Sequence, residues 1–163
     1  MSSIYDFKET EMSGKEINLN DYKGKVVIIV NTASKCGLAP QLNKLEDFYK
    51  KYHDQGLELL GLPSNQFKQE LGNDKETSDY CSVHYGVTFP MTKRVWVNGK
   101  NADPLFTHLK DESGSGRIKW NFTKFLIGKD GKLIHRYAPI TKPEKMESDI
   151  KKALASSSST VSQ

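Results

Sequence analysis

The chain has 163 residues, 36% hydrophobic and 27% charged, the size and balance of one folded domain. Its 24 Lys and Arg against 20 Asp and Glu are scattered, with three arginines (Arg94, Arg117, Arg136), which argues against the concentrated basic footprint of a nucleic-acid binder. No apolar run exceeds a strand's length and residues 1–6 lack the basic and apolar regions of a secretory leader, so neither a membrane span nor export is expected, and the expected location is cytoplasmic.

Residues 7–10 and 16–19 are short alternating segments on either side of Ser13-Gly14-Lys15 and predict a hairpin. After the turn Lys23-Gly24-Lys25, residues 26–31 are β-branched and apolar on both faces, which predicts a central strand buried on both sides. A small-residue turn over 32–37 follows. From Pro40 onward Leu42, Leu45, Phe48, Tyr49 and Tyr52 recur at helical spacing, and Gly56 closes that helix. Residues 57–62 form a second apolar strand, stopped at Pro63. Strand, helix and strand in this succession make a βαβ unit with parallel strands and a right-handed crossover.

A second helix is expected over 75–84, a short helix or strand over 91–97 before the turn Asn98-Gly99, and a further helix over 104–110. Residues 122–127 and 132–137, joined through Asp130-Gly131, read as a hairpin. Residues 143–154 read as a terminal helix with Pro143 in its first turn. The Ser-rich stretch 156–163 is expected to be disordered. A parallel βαβ, a later helix, an antiparallel hairpin and a last helix is the order of a thioredoxin fold. The class is therefore α/β, a thioredoxin-like mixed sheet flanked by helices with an N-terminal hairpin extension, in a single domain over 1–155.

Two cysteines, Cys36 and Cys81, carry the candidate chemistry. Cys36 lies just past the C-terminal end of the central strand and before a helix, the sheet edge where α/β proteins bind ligands. Backbone N–H groups at a helix start favour a thiolate there. The chain reads Cys36-Gly37-Leu38-Ala39, with alanine where a C-x-x-C dithiol would have its second cysteine, so a simple dithiol reductase is disfavoured. If Cys36 turns over through an intramolecular disulfide, its partner is Cys81 on the second helix; where that helix lies far from Cys36, it would have to unwind to bring the two Cα atoms within about 7 Å. The four histidines form no metal-ligand grouping, and no metal, nucleotide or flavin cofactor is implied.

Three blocks then become specific in combination: Asn31-Thr32-Ala33-Ser34-Lys35-Cys36-Gly37, Pro63-Ser64-Asn65-Gln66-Phe67 and Lys119-Trp120-Asn121-Phe122-Thr123-Lys124-Phe125. Together with Phe89-Pro90 and Val97-Asn98-Gly99, they resemble the signature blocks of the glutathione peroxidase family, and the resemblance runs from about residue 5 to residue 154. It implies an antioxidant peroxidase of the non-selenium type. Cys36 would attack hydrogen peroxide and organic hydroperoxides, assisted by Gln66, Trp120 and Asn121. Cys81 would be the resolving cysteine, and thioredoxin rather than glutathione the expected reductant. The block that often reads Pro-Cys-Asn-Gln-Phe carries Ser64 here, which cannot act as a spare thiol. The short segment 111–117 lacks the insertion associated with tetrameric members, so a monomer is expected.

The physical reading agrees with those roles. When a thiolate attacks a peroxide, charge moves from sulfur to the departing oxygen, and the amides of Gln66 and Asn121 and the indole N–H of Trp120 are neutral donors able to follow it. Phe122 is expected to be a core residue. Two other classes stay open on sequence. One is a redox sensor that relays a Cys36–Cys81 disulfide to a partner protein. The other is a non-catalytic thioredoxin-fold binding module, which would have no need of the Gln66, Trp120 and Asn121 set.

Overall fold

The computed structural model describes residues 3–156; the expected disorder of the tail therefore lies almost wholly outside the described residues. Strands β1 (Lys8–Thr10) and β2 (Glu16–Asn18) form the N-terminal antiparallel hairpin, turning at Gly14 with φ +97°. The main sheet holds β3 (Val26–Thr32), β4 (Leu57–Pro63), β5 (Lys124–Ile127) and β6 (Leu133–Tyr137) in the order β4-β3-β5-β6. β3 pairs parallel with β4 and antiparallel with β5, and β5 pairs antiparallel with β6, so the sheet is mixed.

Every residue of β3 and β4 is buried, as the unbroken apolar runs demand of strands covered on both faces. The alternation of β3 sends Val26, Ile28 and Val30 to one core and Val27 and Ile29 to the other. On the first face lie α1 (Gln41–Tyr52), through Leu42, Leu45 and Phe48, and α4 (Glu147–Ala155), through Ile150 and Ala153. On the opposite face α3 (Pro104–Ser113) buries Leu105, Phe106 and Leu109 against Phe125 and Ile127. The remaining helix, α2 (Asp74–Tyr85), buries only Thr77 and Cys81, one helical turn apart. Among the described residues no helix is long and apolar enough to cross a membrane.

Four expected boundaries shift. Residues 91–97 form neither helix nor strand. They run irregularly along the β4 edge, where Thr92 N–H donates to Gly61 O at 2.9 Å and Val95 N–H to Pro63 O at 2.9 Å. The first hairpin strand of the second half starts at Lys124 rather than residue 122, because Phe122 has a left-handed φ of +66° and breaks the extended path. Helix α3 continues three residues past the expected end, to a left-handed Gly114. The terminal helix is split into a 3-10 turn, Pro143–Met146, and α4.

Candidate active site

Three loops leave the same end of the sheet. The parallel register puts Thr32 beside Pro63, and Ser64 N–H still donates to Thr32 O at 3.0 Å, so the turns after β3 and β4 depart together. β5 is antiparallel to β3, with Val30 opposite Lys124, so the residues just before Lys124 arrive at that same end. Cys36, Gln66 and the Trp120-Asn121 pair are each carried by one of these loops.

Cys36 is 5% exposed, in the turn between β3 and α1. The turn is fixed by Lys35 N–H on Gln69 O at 2.8 Å and Ala39 N–H on Cys36 O at 2.9 Å. The helix proper begins only at Gln41, so the donor that reaches the Cys36 sulfur is the N–H of Leu38, at 3.4 Å, rather than the first amides of α1. This is a local correction to the expected helix-terminus position: Cys36 sits five residues ahead of the helix, and the amide on its sulfur belongs to the turn.

Trp120 is 37% exposed and packs on Phe67 with ring centroids 5.3 Å apart, so the second and third loops touch. Asn121 is fully buried, and neither its amide nitrogen nor its carbonyl oxygen has a protein partner. A buried amide without partners is costly, and both polar atoms of Asn121 are left with hydrogen-bonding capacity for a ligand. Phe122 lies in the same buried cluster as Cys36, as expected of a core residue, and its backbone is the bulky left-handed outlier noted above.

Sequence reasoning did not single out the residue that holds this loop. Asn31, near the end of β3, donates from Nδ2 to Trp120 O and accepts Thr123 N–H at Oδ1, while its backbone O accepts Phe122 N–H at 2.7 Å. Its signal in the sequence was a lone amide ending an otherwise apolar run. Lys124 was also passed over: fully buried, it donates to Gln41 Oε1 (2.8 Å), Pro139 O (3.1 Å) and Thr141 O (2.6 Å), and burial pulls its pKa down to about 7. It ties the start of α1, which the Cys36 turn feeds, to the loop after β6.

Gln66 is engaged elsewhere. Its Oε1 accepts Val97 N–H (2.8 Å) and Asn98 N–H (3.0 Å), and its Nε2 donates to Asn98 O at 3.3 Å. One amide hydrogen remains for a ligand. Ser64, in the position of the absent cysteine, is buried, and its hydroxyl accepts Gln66 N–H at 3.2 Å, so it shapes the turn that carries Gln66.

Cys81 is 2% exposed, and its sulfur lies 3.8 Å from Ser34 Oγ, two residues before Cys36 in the chain. Burial pushes this thiol up to about 11, the Ser34 hydroxyl acting the other way and the charge of Glu70 adding to the rise. Both cysteines are free thiols within one buried cluster. Helix α2 thus delivers Cys81 against the turn that carries Cys36.

A family model for glutathione peroxidase matches residues 4–110. A glutathione peroxidase of Lactococcus lactis subsp. cremoris is 54% identical over 156 residues, covering 93% of this chain and 99% of that one. The glutathione peroxidase-like peroxiredoxin 2 of Saccharomyces cerevisiae is 45% identical over 159 residues, covering 94% and 98%. Among solved structures, the apo form of Trgpx superposes with a TM-score of 0.79 at 40% identity, over 96% of this chain and 97% of the other.

Proposed function

The chain belongs to the glutathione peroxidase family and is a thioredoxin-fold peroxidase, and we propose that Cys36 is the sulfur with which it attacks hydroperoxides. The thiolate of Cys36 takes one peroxide oxygen, the O–O bond breaks, and the departing oxygen leaves as water or alcohol after taking a proton. Cys36 becomes a sulfenic acid. Asn121, Trp120 and the remaining amide hydrogen of Gln66 supply donors for the charge that passes from sulfur to oxygen.

Cys81 then attacks the sulfenic sulfur, giving the Cys36–Cys81 disulfide and water. A dithiol protein of the thioredoxin kind restores the pair by exchange. The chain works as a monomer on hydrogen peroxide and organic hydroperoxides. The observation that supports this reading is a buried Cys36 whose sulfur receives a backbone N–H, on one of three loops that leave the same end of the sheet.

The test is steady-state peroxide reduction with thioredoxin and with glutathione, side by side, with mass spectrometry after one equivalent of peroxide. Faster turnover with thioredoxin and a Cys36–Cys81 linkage are expected. A stable sulfenic acid in the wild type, reduced only by glutathione, would assign resolution to an external thiol.

A further inference from the structure

Asn98 ties two of the three loops to each other. It follows the irregular run along the β4 edge and is 7% exposed. Its main chain holds the side chain of Gln66: Asn98 N–H donates to Gln66 Oε1 at 3.0 Å, and Asn98 O accepts from Gln66 Nε2 at 3.3 Å. Its side chain holds the main chain of Ile118, two residues before Trp120. There Oδ1 accepts Ile118 N–H at 2.8 Å and Nδ2 donates to Ile118 O at 2.6 Å. Ile118 is itself fully buried.

Bonding both the N–H and the O of one residue is what an antiparallel neighbour does in a hydrogen-bonded pair, and it fixes that residue's rotation as well as its place. A carboxamide suits the task because it sets one acceptor beside one donor on a short stem; an ionised aspartate has no donor and leucine has neither. From α3, Lys110 Nζ donates to Val97 O at 2.6 Å and to Asn98 Oδ1 at 3.3 Å, which braces the joint. Asn31 holds the other end of the Trp120 loop, at Trp120 O and Thr123 N–H. Two carboxamides therefore pin residues 118–123, and Asn98 ties their entry to Gln66.

We infer that Asn98 is a positioning residue for peroxide reduction, setting Gln66 and the Trp120-Asn121 pair in register so that donors from two loops serve one departing oxygen. The inference rests on these side chains being the donors of the proposed reaction. Donors aimed in advance at developing charge lower the barrier because little has to reorganise as the O–O bond breaks. With Gln66 and the Trp120 loop no longer tied together, that arrangement would have to be found anew in each encounter. A displacement of about 1 Å is enough to cost on the order of 100-fold in rate. Asn98 acts through Ile118 and Gln66.

The experiment uses a C81S background, where Cys36 is the one remaining cysteine, and compares two reagents. Hydrogen peroxide needs donors for its departing oxygen; iodoacetamide, which alkylates a thiolate with loss of iodide, does not. Asn98→Ala removes both bonds to Ile118 and should slow Cys36 oxidation on the order of 100-fold by rapid mixing. Alkylation should stay close to the rate of the C81S parent. Asn98→Asp keeps the acceptor for Ile118 N–H and loses the donor, so its loss should be smaller; it carries the test should Asn98→Ala fail to fold. Because both residues act through one joint, Gln66→Ala should cost far less in either Asn98 background than alone. Three results would overturn the positioning role: oxidation at the parental rate in the folded Asn98 variants, peroxide and iodoacetamide rates that change in proportion, or Asn98 and Gln66 effects that simply multiply. Parental oxidation rates in Gln66→Ala and Trp120→Ala themselves would remove instead the donor assignment beneath it.

Discussion

Asn31 and Trp120, 89 residues apart in sequence, are joined by a hydrogen bond of 3.2 Å from the Asn31 amide to the Trp120 carbonyl. The same carboxamide accepts the Thr123 N–H at 2.9 Å, so one side chain on the central strand spans the bend at Phe122. Replacing Asn31 by Ala leaves a buried N–H without a partner and costs about 2 kcal/mol of stability. The expected kinetic result is a fall in the rate of Cys36 oxidation, because Trp120 and Asn121 lose their fixed position. Stopped-flow oxidation together with urea unfolding checks both effects; an unchanged oxidation rate in a folded variant would show that the loop holds itself.

Cys36→Ser should abolish thioredoxin-driven turnover, since an alcohol near neutral pH does not supply the nucleophile. The donor variants should differ from one another in a way the structure dictates. Trp120 is partly exposed, so Trp120→Ala should lose rate, on the order of 100-fold, with a small change in stability. Gln66→Ala should lose both, because the Val97 and Asn98 amides lose their acceptor. Sulfenic acid trapping and thermal unfolding of each variant distinguish the two patterns, and wild-type oxidation rates throughout would remove these residues from the chemistry.

Cys81→Ser should preserve the first turnover and lose the rest. Its sulfenic acid should persist and advance to sulfinic acid under excess peroxide, visible as a second added oxygen by mass spectrometry. In the wild type, forming the disulfide should loosen α2, giving faster amide exchange over residues 79–84 in the oxidised than in the reduced protein. Equal exchange in the two states would mean that the helix accommodates the bond intact.

Glu9 gives a pH dependence remote from the thiols. Burial first, and then the hydrogen bond to and charge of Asp103, hold its carboxyl up near 10. A folded-state value above the unfolded one favours folding in the protonated form. That contribution is complete below the unfolded value of 4.5 and is lost progressively as pH rises toward about 10. Glu9→Gln mimics the protonated group, so its stability relative to wild type should grow between pH 5 and pH 9 in urea titrations. A difference that stays constant with pH would show that Glu9 is already ionised in the fold.

The elements that could be read from sequence were those whose local pattern matches their burial. The unbroken apolar runs of β3 and β4, the helical spacing in α1 and the turn at Asp130-Gly131 each announce one structure, and they fix which loops share a sheet edge. Residues 91–97 were ambiguous because their bonds go to the irregular edge beyond Gly61 and Pro63, a long-range choice with no local periodicity. Phe122 gave no warning of its left-handed backbone, since nothing in its side chain favours one. The candidate site followed the same division: Cys36 and the donors lay in recognisable blocks, whereas the parts played by Asn31 and Lys124 depend on partners far away in the chain. Nor does the count of residues between the two cysteines show that α2 folds back onto Ser34, two residues before Cys36.

Helix α2 is anchored by two buried side chains, Thr77 and Cys81, and the proposed cycle withdraws one of them. Helix formation and disulfide reduction then become two sides of one equilibrium: whatever strengthens the helix makes the disulfide a stronger oxidant. The exposed Ser78 and Ser82 offer a way to turn that dial without entering the site, since alanine is the better helix former at both. Each gain of about 1.4 kcal/mol in helix stability would raise the midpoint potential of the Cys36–Cys81 couple by about 30 mV. The length of time that the protein stays oxidised after a pulse of peroxide would thus be written on the solvent face of a helix.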